Sequence, residues 1–292
     1  MRTRLGWAIA SAMLLGSVGT AFAADMPMKA PPPPPVPVWN WTGFYIGGNV
    51  GGIWNDTRDD VFPTGCFLSP GPVNGCGGLA PGLSGVPLNP LRSDSVRLNG
   101  SGFTGGGQVG YNWQAGRFLG GIEADINYSG INDRSSINRP VALPLVGNYI
   151  HSETDKLLWF GTLRGRAGFT VAPSFLVYAT GGLAFGEVKS ASATAFTSTP
   201  DTYAGTLDET RAGWTVGGGG EWMFAPNWSV KAEYLFVDLG RSSYTQLCTA
   251  PGICTAPPQP SPASYQTDLH NRYNIARVGV NYHFGGPVVA KY

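Results

Sequence analysis

The sequence predicts an all-β fold, an eight-stranded antiparallel up-and-down transmembrane β-barrel with long extracellular loops and short periplasmic turns. Three observations predict it. Eight segments alternate between apolar and polar residues, the connections between them are alternately short and long, and aromatic residues gather at both ends of the segments. Barrels of the bacterial outer membrane combine these three features.

The alternation is clearest in residues 212–240. Trp214, Val216 and Trp222 fall on one face of the first predicted strand, and Thr215 and Glu221 fall on the other, because side chains on a strand alternate with period 2. The apolar face carries aromatic residues at the strand ends, and the polar face carries isolated charges between glycines. We therefore interpret the apolar face as the lipid face and the polar face as the lumen.

The N-terminus predicts export. Residues 1–23 have a basic start, an apolar run and a small-residue end at Ala21–Ala23, which are typical of a secretory signal peptide. The apolar run is shorter than the roughly 20 residues of a membrane-spanning helix, which argues against an uncleaved anchor. Residues 24–40 are proline-rich and predict an extended periplasmic linker, in preference to a ligand for a partner protein.

Composition excludes several function classes. Charged residues are 13% of the chain, about half the usual share, and the net charge of +1 gives no reason to expect nucleic-acid binding. Beyond the predicted signal peptide, no stretch approaches the roughly 18 consecutive apolar residues of a transmembrane helix.

The predicted barrel covers residues 41–285, and residues 286–292 form a short C-terminal extension. The predicted strands are 42–54, 100–113, 118–129, 156–170, 175–188, 211–224, 228–241 and 271–284. The short connections are 114–117, 171–174 and 225–227, and the long ones are 55–99, 130–155, 189–210 and 242–270. Because the short turns of such barrels face the periplasm, both chain ends are expected on that side.

Aromatic residues predict two girdles at the lipid interfaces. The predicted periplasmic girdle comprises Trp41, Trp113, Phe169, Trp222, Trp228 and Phe284, and the outer girdle comprises Trp54, Trp159 and Trp214. A soluble β-sandwich gives no reason for aromatic residues to collect at strand ends.

The inward face carries balanced charges. The eight residues are Glu123, Asp125, Arg164, Arg166, Glu221, Lys231, Glu233 and Arg277. The interior of an eight-stranded barrel is just wide enough for side chains, and an unpaired buried charge costs several kcal/mol, so we expect ion pairs that plug the lumen. Glu123 and Asp125 are expected to face Arg164 and Arg166, and Glu221 to face Lys231 and Glu233. A polar permeation path is the rival interpretation.

Motifs for chemistry are weak. Residues 105–110 match G-x-G-x-x-G, but they lie inside a strand and no helix follows, so no dinucleotide site is expected. Glu123 and Asp125 share a face but would lie in a closed lumen, and His151 and His270 lie near the outer rim without a matching catalytic arrangement. We therefore expect no enzyme activity and no catalytic, cofactor-binding or metal-ligating residues. Metal or haem binding by loop histidines is the alternative left open.

Cysteines predict two local disulfides. Cys66 and Cys76 lie in the first long loop, and Cys248 and Cys254 lie in the last. Structural zinc sites place thiolates in pairs about two to four residues apart, and both of these spacings are wider. Pairing of Cys66 with Cys76 and of Cys248 with Cys254 is therefore expected in an exported chain.

Four segments carry a family resemblance: residues 39–52, 159–169, 217–240 and 277–285. With them the chain resembles the porin-family outer-membrane β-barrel proteins of alpha-proteobacteria, the small surface-antigen type related to the OmpA transmembrane barrel. The resemblance covers about residues 39–285. It implies an outer-membrane location, antigenic loops and a role in envelope integrity; some members are thought to bind haemin.

The resemblance also implies partners. These are the lipid bilayer, lipopolysaccharide and the insertion machinery, which reads a terminal aromatic residue in the place of Phe284. Two departures stand out: the first loop is longer and richer in proline than is usual in the family, and residues 285–291 follow Phe284 before Tyr292. The predicted function is a structural, surface-exposed barrel. The alternatives are a narrow porin for passive diffusion of small solutes and loop-based haemin binding.

Overall fold

The computed structural model describes residues 39–64, 94–140, 147–197, 202–249 and 264–284. The chain divides into two units, residues 1–36 and 37–292, and all described residues belong to the second. The predicted signal peptide, nearly all of the predicted linker and the C-terminal extension lie outside these ranges. The described residues include no helix long and apolar enough to cross a membrane.

One antiparallel sheet contains all the described strands. Their bounds are β1 Gly43–Asn55, β2 Thr57–Thr64, β3 Asp94–Leu98, β4 Ser101–Ala115, β5 Phe118–Pro140, β6 Asn148–Ala172, β7 Phe175–Phe196, β8 Thr202–Ala225, β9 Trp228–Cys248 and β10 Ser264–His283. The order β1-β4-β5-β6-β7-β8-β9-β10 closes on itself because β10 also pairs with β1. The predicted eight-stranded antiparallel barrel is therefore confirmed.

The predicted short turns join β4 to β5, β6 to β7 and β8 to β9, each across two residues. In the first of them Gly116 has a φ of 63°, a left-handed conformation that a side chain disfavours and glycine adopts freely. These three turns mark one end of the barrel, which is the periplasmic end.

At the other end the strands are longer than the sequence predicted. Residues 130–155, assigned to a loop, lie mostly in β5 and β6, and the loops 189–210 and 242–270 are shortened in the same way. The cause is that the lipid face ends at the outer girdle. Beyond it most of the outward residues are polar or small, so the apolar alternation that marks a membrane strand disappears while the backbone ladder continues.

The predicted first loop, residues 55–99, also contains strands. β2 pairs with β10 from Arg58 opposite His270 to Thr64 opposite Ser264, and β3 pairs with β2. Asp56 separates β1 from β2, and its amide donates to the Arg272 carbonyl at 3.0 Å. The barrel wall thus extends beyond the membrane as a continuation of β1 and β10.

The outward face carries the apolar band. Large apolar side chains that are exposed there include Ile46, Val109, Ile122, Ile126, Leu163, Val177, Leu183, Val216, Val278 and Val280. Among the predicted girdle residues, those exposed on this face are Trp113, Phe169, Trp222, Trp228, Phe284, Trp54 and Trp214. Trp159 is half-buried, and its indole Nε1 donates to Glu187 Oε2 at 2.7 Å.

Trp41 corrects the predicted girdle. Its side chain is 0% exposed, and its indole Nε1 donates to the Pro173 carbonyl at 3.1 Å. It packs with Leu119, Leu176 and Tyr178 across the periplasmic end of the lumen. The residue precedes β1, so strand parity does not fix its direction, and the chain turns it inward to cover the barrel.

Candidate functional site

Side chains fill the lumen in layers. The inward residues of β6, taken from the periplasmic end outward, show the order of these layers. Arg166 and Arg164 come first, then Phe160 and Leu157, and then Glu153 and His151. Each of these side chains is at most 4% exposed. We call the three levels the charged layer, the apolar layer and the outer cluster.

The charged layer consists of the eight inward charges that the sequence singled out, all of them buried: Glu123, Asp125, Arg164, Arg166, Glu221, Lys231, Glu233 and Arg277. Four acids and four bases give this layer no formal net charge. Every one of the eight lies within 4.0 Å of at least one opposite charge of the layer.

Glu123 lies at the centre of the charged layer. It is directly opposite Arg164 in the pairing of β5 with β6, and Arg164 Nη2 donates to Glu123 Oε1. Lys231 Nζ approaches the same oxygen to 2.9 Å from the other side of the lumen. Tyr45 donates its hydroxyl to Glu123 Oε2 at 2.7 Å and accepts from Arg166 Nη1 at 2.6 Å. Three strands besides β5 thus hold this carboxylate.

Two arginines link the remaining acids. Arg164 contacts Asp125 Oδ2 and Glu233 Oε1, each at 2.9 Å. Arg277 closes the ring, with Nη2 at 3.0 Å from Asp125 Oδ2 and 2.7 Å from Glu233 Oε2. Both carboxylates are therefore shared between two guanidinium groups, which is the satisfied arrangement that a buried charge requires.

Glu221 faces Lys231 as expected, but it forms its ion pair with Arg166. It lies opposite Lys231 in the pairing of β8 with β9, yet its Oε2 accepts from Arg166 Nη2 at 2.7 Å, while Lys231 Nζ points to Glu123. Ser229 and Asn281 donate to the other Glu221 oxygen, at 2.6 and 2.7 Å. The lumen is narrow enough for long side chains to reach across it, so the partner is set by the barrel's width as well as by the neighbouring strand.

Gly110, the last glycine of the G-x-G-x-x-G match, has a packing role here. A Cβ at this position would lie 2.3 Å from the ring of Tyr45. The missing side chain therefore leaves room for Tyr45 to lie across the lumen and reach Glu123.

The apolar layer covers the charged layer on its outer side. It is a cluster of buried side chains from β1, β5, β6, β7, β9 and β10: Ile53, Ile131, Leu157, Phe160, Ala184, Val188, Leu235, Val237, Leu239, Tyr273 and Ile275. Packed apolar side chains across a lumen offer an ion nothing to replace its hydration shell.

The outer cluster lies where the barrel wall has left the membrane. It brings together Asp59 from β2 and His151 and Glu153 from β6, each at most 1% exposed. His151 Nε2 is 3.4 Å from Asp59 Oδ2 and 3.7 Å from Glu153 Oε2. Tyr244 donates to the second oxygen of Glu153 at 2.9 Å, and Tyr149 stacks on the His151 ring with an interplanar angle of 6°.

Burial makes negative charge costly in this part of the lumen. It raises the pKa of Glu153 to about 10, with a further contribution from the neighbouring Asp59, and it raises the pKa of Asp59 as well. The pKa of Asp155, one inward position below Glu153, is raised to about 6, mainly by burial.

The sequence placed His151 near the rim but missed its partners. His151, Glu153 and Asp155 stand at i, i+2 and i+4, a period-2 signal for one strand face, but the segment was assigned to a loop. Asp59 could not be found this way because its strand, β2, lies within the predicted first loop. His270 stands apart from this cluster, with Nε2 3.2 Å from Asp238 Oδ2.

Cys248 is disulfide-bonded. Cys66, Cys76 and Cys254 lie outside the described residues, so both predicted pairings stay predictions.

A closed ring of eight strands with an apolar outer face and buried charged residues in its lumen defines an outer-membrane β-barrel protein. The family model of the outer membrane protein β-barrel domain matches residues 10–284, and the chain belongs to this family. It is an outer-membrane protein, and its barrel lies in the lipid bilayer.

Two curated relatives are similar. The chain is 34% identical over 274 residues to the 31 kDa outer-membrane immunogenic protein of Brucella melitensis biotype 1, covering 91% of this chain and 94% of the relative. It is 36% identical over 141 residues to the 22 kDa outer membrane protein of Rhizobium leguminosarum bv. viciae, covering 48% of this chain and 54% of the relative. Among solved structures, the outer membrane protein OprG from Pseudomonas aeruginosa is 12% identical, with a TM-score of 0.42, covering 85% of this chain and 100% of that one.

Proposed function

We propose that this protein is a closed, non-enzymatic barrel that contributes to envelope integrity and displays its outer wall at the cell surface. The observation that carries the proposal is the apolar layer stacked on the charged layer. Eight buried charges neutralise one another below, and a cluster that includes Ile53, Leu157 and Phe160 fills the lumen above them.

The rival function, a narrow porin, needs a continuous polar path. Water-filled barrels typically have about 16 or more strands, whereas an eight-stranded barrel has space for little besides its own side chains. Here the charged side chains are 0% exposed in all their mutual ion pairs, and Trp41 covers the periplasmic end. These features favour a sealed lumen.

The surface role rests on the strand extensions. β5, β6, β7, β8 and β9 all continue beyond the outer girdle, and β2 and β3 add to the same wall. The Brucella relative is described as immunogenic. A rigid wall that stands above the lipid would present the connecting segments to antibodies in the same way.

Liposome swelling tests the sealed lumen. The full chain, folded into liposomes, should give no faster swelling in small sugars and amino acids than protein-free liposomes, while a 16-stranded porin gives rapid swelling. Swelling that rises with the amount of protein and falls with solute size would instead establish the porin function.

Whole cells test the structural and surface roles. A strain that lacks the protein should become more sensitive to detergent and bile salts, and the wild-type gene should restore its resistance. Antibodies to the segments between β5 and β6 or between β9 and β10 should label intact cells. Unchanged sensitivity together with labelling only after permeabilisation would contradict both roles.

Two further partners belong to this proposal. Lipopolysaccharide would surround the outer girdle in the outer leaflet, and the insertion machinery would read Phe284, which is exposed at the end of β10 and whose amide donates to the Phe44 carbonyl at 2.9 Å. Loop-based haemin binding stays a prediction from the family resemblance.

A further inference from the structure

We infer that Asp59, His151 and Glu153 form a binding site for one divalent transition-metal cation of the zinc class. The site is separate from the sealed lumen at membrane level, and its test does not depend on whether the barrel conducts. One ligand atom from each residue lies within 4.8 Å of the other two, and all three side chains are buried.

The spacing fits a cation between the three groups. Two ligands bound to a tetrahedral zinc ion at about 2.1 Å lie about 3.4 Å from each other. His151 Nε2 is 3.4 Å from Asp59 Oδ2 and 3.7 Å from Glu153 Oε2. Only small side-chain movements are needed to bring all three atoms into bonding distance of one ion.

The hydrogen bonds on the other side of the His151 ring orient its Nε2 into the site. Gln246 Nε2 donates to Thr267 Oγ1 at 2.8 Å, so Gln246 Oε1 is free to accept the hydroxyl proton of Thr194, also at 2.8 Å. Thr194 Oγ1 must then accept from His151 Nδ1, at 2.9 Å. Nδ1 is thus the nitrogen that donates to Thr194, and Nε2 is the nitrogen that faces Asp59 and Glu153 and would bind a cation. Metal-bound histidines are oriented by hydrogen bonds of this kind.

Two buried oxygens in the site receive no hydrogen bond from a neighbouring donor: Asp59 Oδ1 and Glu153 Oε2. When the two carboxyl groups are ionised, such oxygens carry a large desolvation penalty. A bound cation would remove this penalty for both.

The charge balance points the same way. Within the described ranges, the buried cationic residues are Arg164, Arg166, Lys231 and Arg277, and their ion pairs are with the four acids of the charged layer. Asp59 and Glu153 therefore face one imidazole and no buried guanidinium or ammonium group. A divalent cation would balance both carboxylates when they are ionised.

The donor set selects the class of ion. One imidazole nitrogen with two carboxylate oxygens suits zinc and its neighbours in the first transition row, whereas calcium and magnesium prefer shells made entirely of oxygen. Tyr244 fixes Glu153 through its other oxygen, so the free Oε2 is the one that would bind.

Zinc content measured on purified protein tests the site. The full chain, prepared without a polyhistidine tag and folded in detergent micelles, is stripped with a chelator, equilibrated with Zn²⁺ and passed through a desalting column. We expect one zinc per chain by mass spectrometry of the metal. The variants D59N, H151Q and E153Q should retain no zinc, and T194V should bind it about tenfold to a hundredfold more weakly because the imidazole loses its orienting partner.

H270Q is the matched control. His270 also lies close to a carboxylate, with Nε2 3.2 Å from Asp238 Oδ2, but it is outside the cluster, so this variant should keep one zinc. Folding of every variant is checked by the shift in gel mobility between unheated and boiled samples. No zinc in the wild-type chain, or equal zinc in the wild type and H151Q, would overturn the inference.

X-ray absorption on the wild-type chain keeps the inference testable if the cluster variants fail to fold. The zinc-loaded protein should show one imidazole and oxygen ligands at about 2.0 to 2.2 Å. A shell without imidazole would overturn the site. A nuclear magnetic resonance spectrum that shows His151 as an imidazolium in both the metal-stripped and the zinc-treated protein would also overturn the site.

Discussion

Glu123 and Arg164 are paired twice, once as directly opposed residues in the ladder of β5 and β6 and once through an ion pair between their side chains. The backbone pairing fixes the separation of the two strands, and the side chains need no reach across the lumen. Both groups are buried, and each has further opposite charges beside it. The other residues of the charged layer contact this pair or the charges beside it.

Removal of one member of this pair should destabilise the barrel strongly. Arg164→Ala leaves Glu123, Asp125 and Glu233 with one guanidinium fewer, and Glu123→Ala leaves Arg164 short of one carboxylate. We expect a loss of about 3 to 5 kcal/mol for either change, measured by denaturation in lipid vesicles. Replacement of both residues by fitted neutral ones should recover much of that loss.

Arg134→Ala is the control for the pair. Arg134 lies on β5 beyond the membrane and is exposed, so its loss should change stability by no more than about 0.5 kcal/mol. A coupling energy near zero in the double-mutant cycle at Glu123 and Arg164 would contradict the pairing.

The lipid face makes a second prediction. Val278 is 52% exposed and lies between the girdles, paired with Val50 and Ala232. Val278→Arg should cost about 2 to 4 kcal/mol of folding free energy in a bilayer, because the charge lies near the midplane. Leu247→Arg is the matched control. Leu247 is 58% exposed on the same side of the wall but beyond the membrane, so this substitution should change the folding free energy very little. Equal costs would show that the membrane boundary is misplaced.

Trp41 should behave as a core residue. Its 0% exposure and its contact with the Pro173 carbonyl place it over the lumen, so Trp41→Ala should cost about 3 to 5 kcal/mol. Trp222→Ala, on the lipid face, should cost clearly less. Quenching by brominated lipids provides an independent measurement, since it should act on Trp222 and spare Trp41. Quenching of Trp41 to the same degree would show that Trp41 contacts lipid as a girdle residue.

The disulfide of Cys248 has an expected partner. A peptide map under non-reducing conditions should link Cys248 to Cys254 and Cys66 to Cys76, because the two cysteines of each pair are close in sequence. A peptide that joins Cys248 to Cys66 or Cys76 would show that the first and last loops are bridged.

The barrel could be predicted because the alternation of apolar and polar residues is a local property of each segment. Alternation with period 2 depends only on which face meets lipid, so the membrane part of each strand and the inward direction of Glu123 or Arg164 could be read directly. The ends of the strands could not be read in this way. Past the outer girdle both faces of β5 and β6 carry polar residues, and the pattern resembles that of a loop.

Partners across the lumen were the harder problem. Glu221 and Lys231 are opposed in the ladder, yet they bind Arg166 and Glu123, because side chains several bonds long can span a barrel of eight strands. Such choices depend on the shape of the closed ring, which no single segment contains. The outer cluster was missed for a related reason, since Asp59 and His151 are brought together by β2, a strand hidden inside the longest predicted loop.

Planar-bilayer conductance tests the sealed lumen most directly. The wild-type chain, inserted at single-molecule density, should give a current indistinguishable from the bare bilayer, and Arg164→Ala should give small flickering openings as the charged layer loosens. A 16-stranded porin in the same bilayer shows that insertion is detected. A steady ohmic current through the wild-type chain, with an ion selectivity that changes in Arg164→Ala, would contradict the sealed lumen.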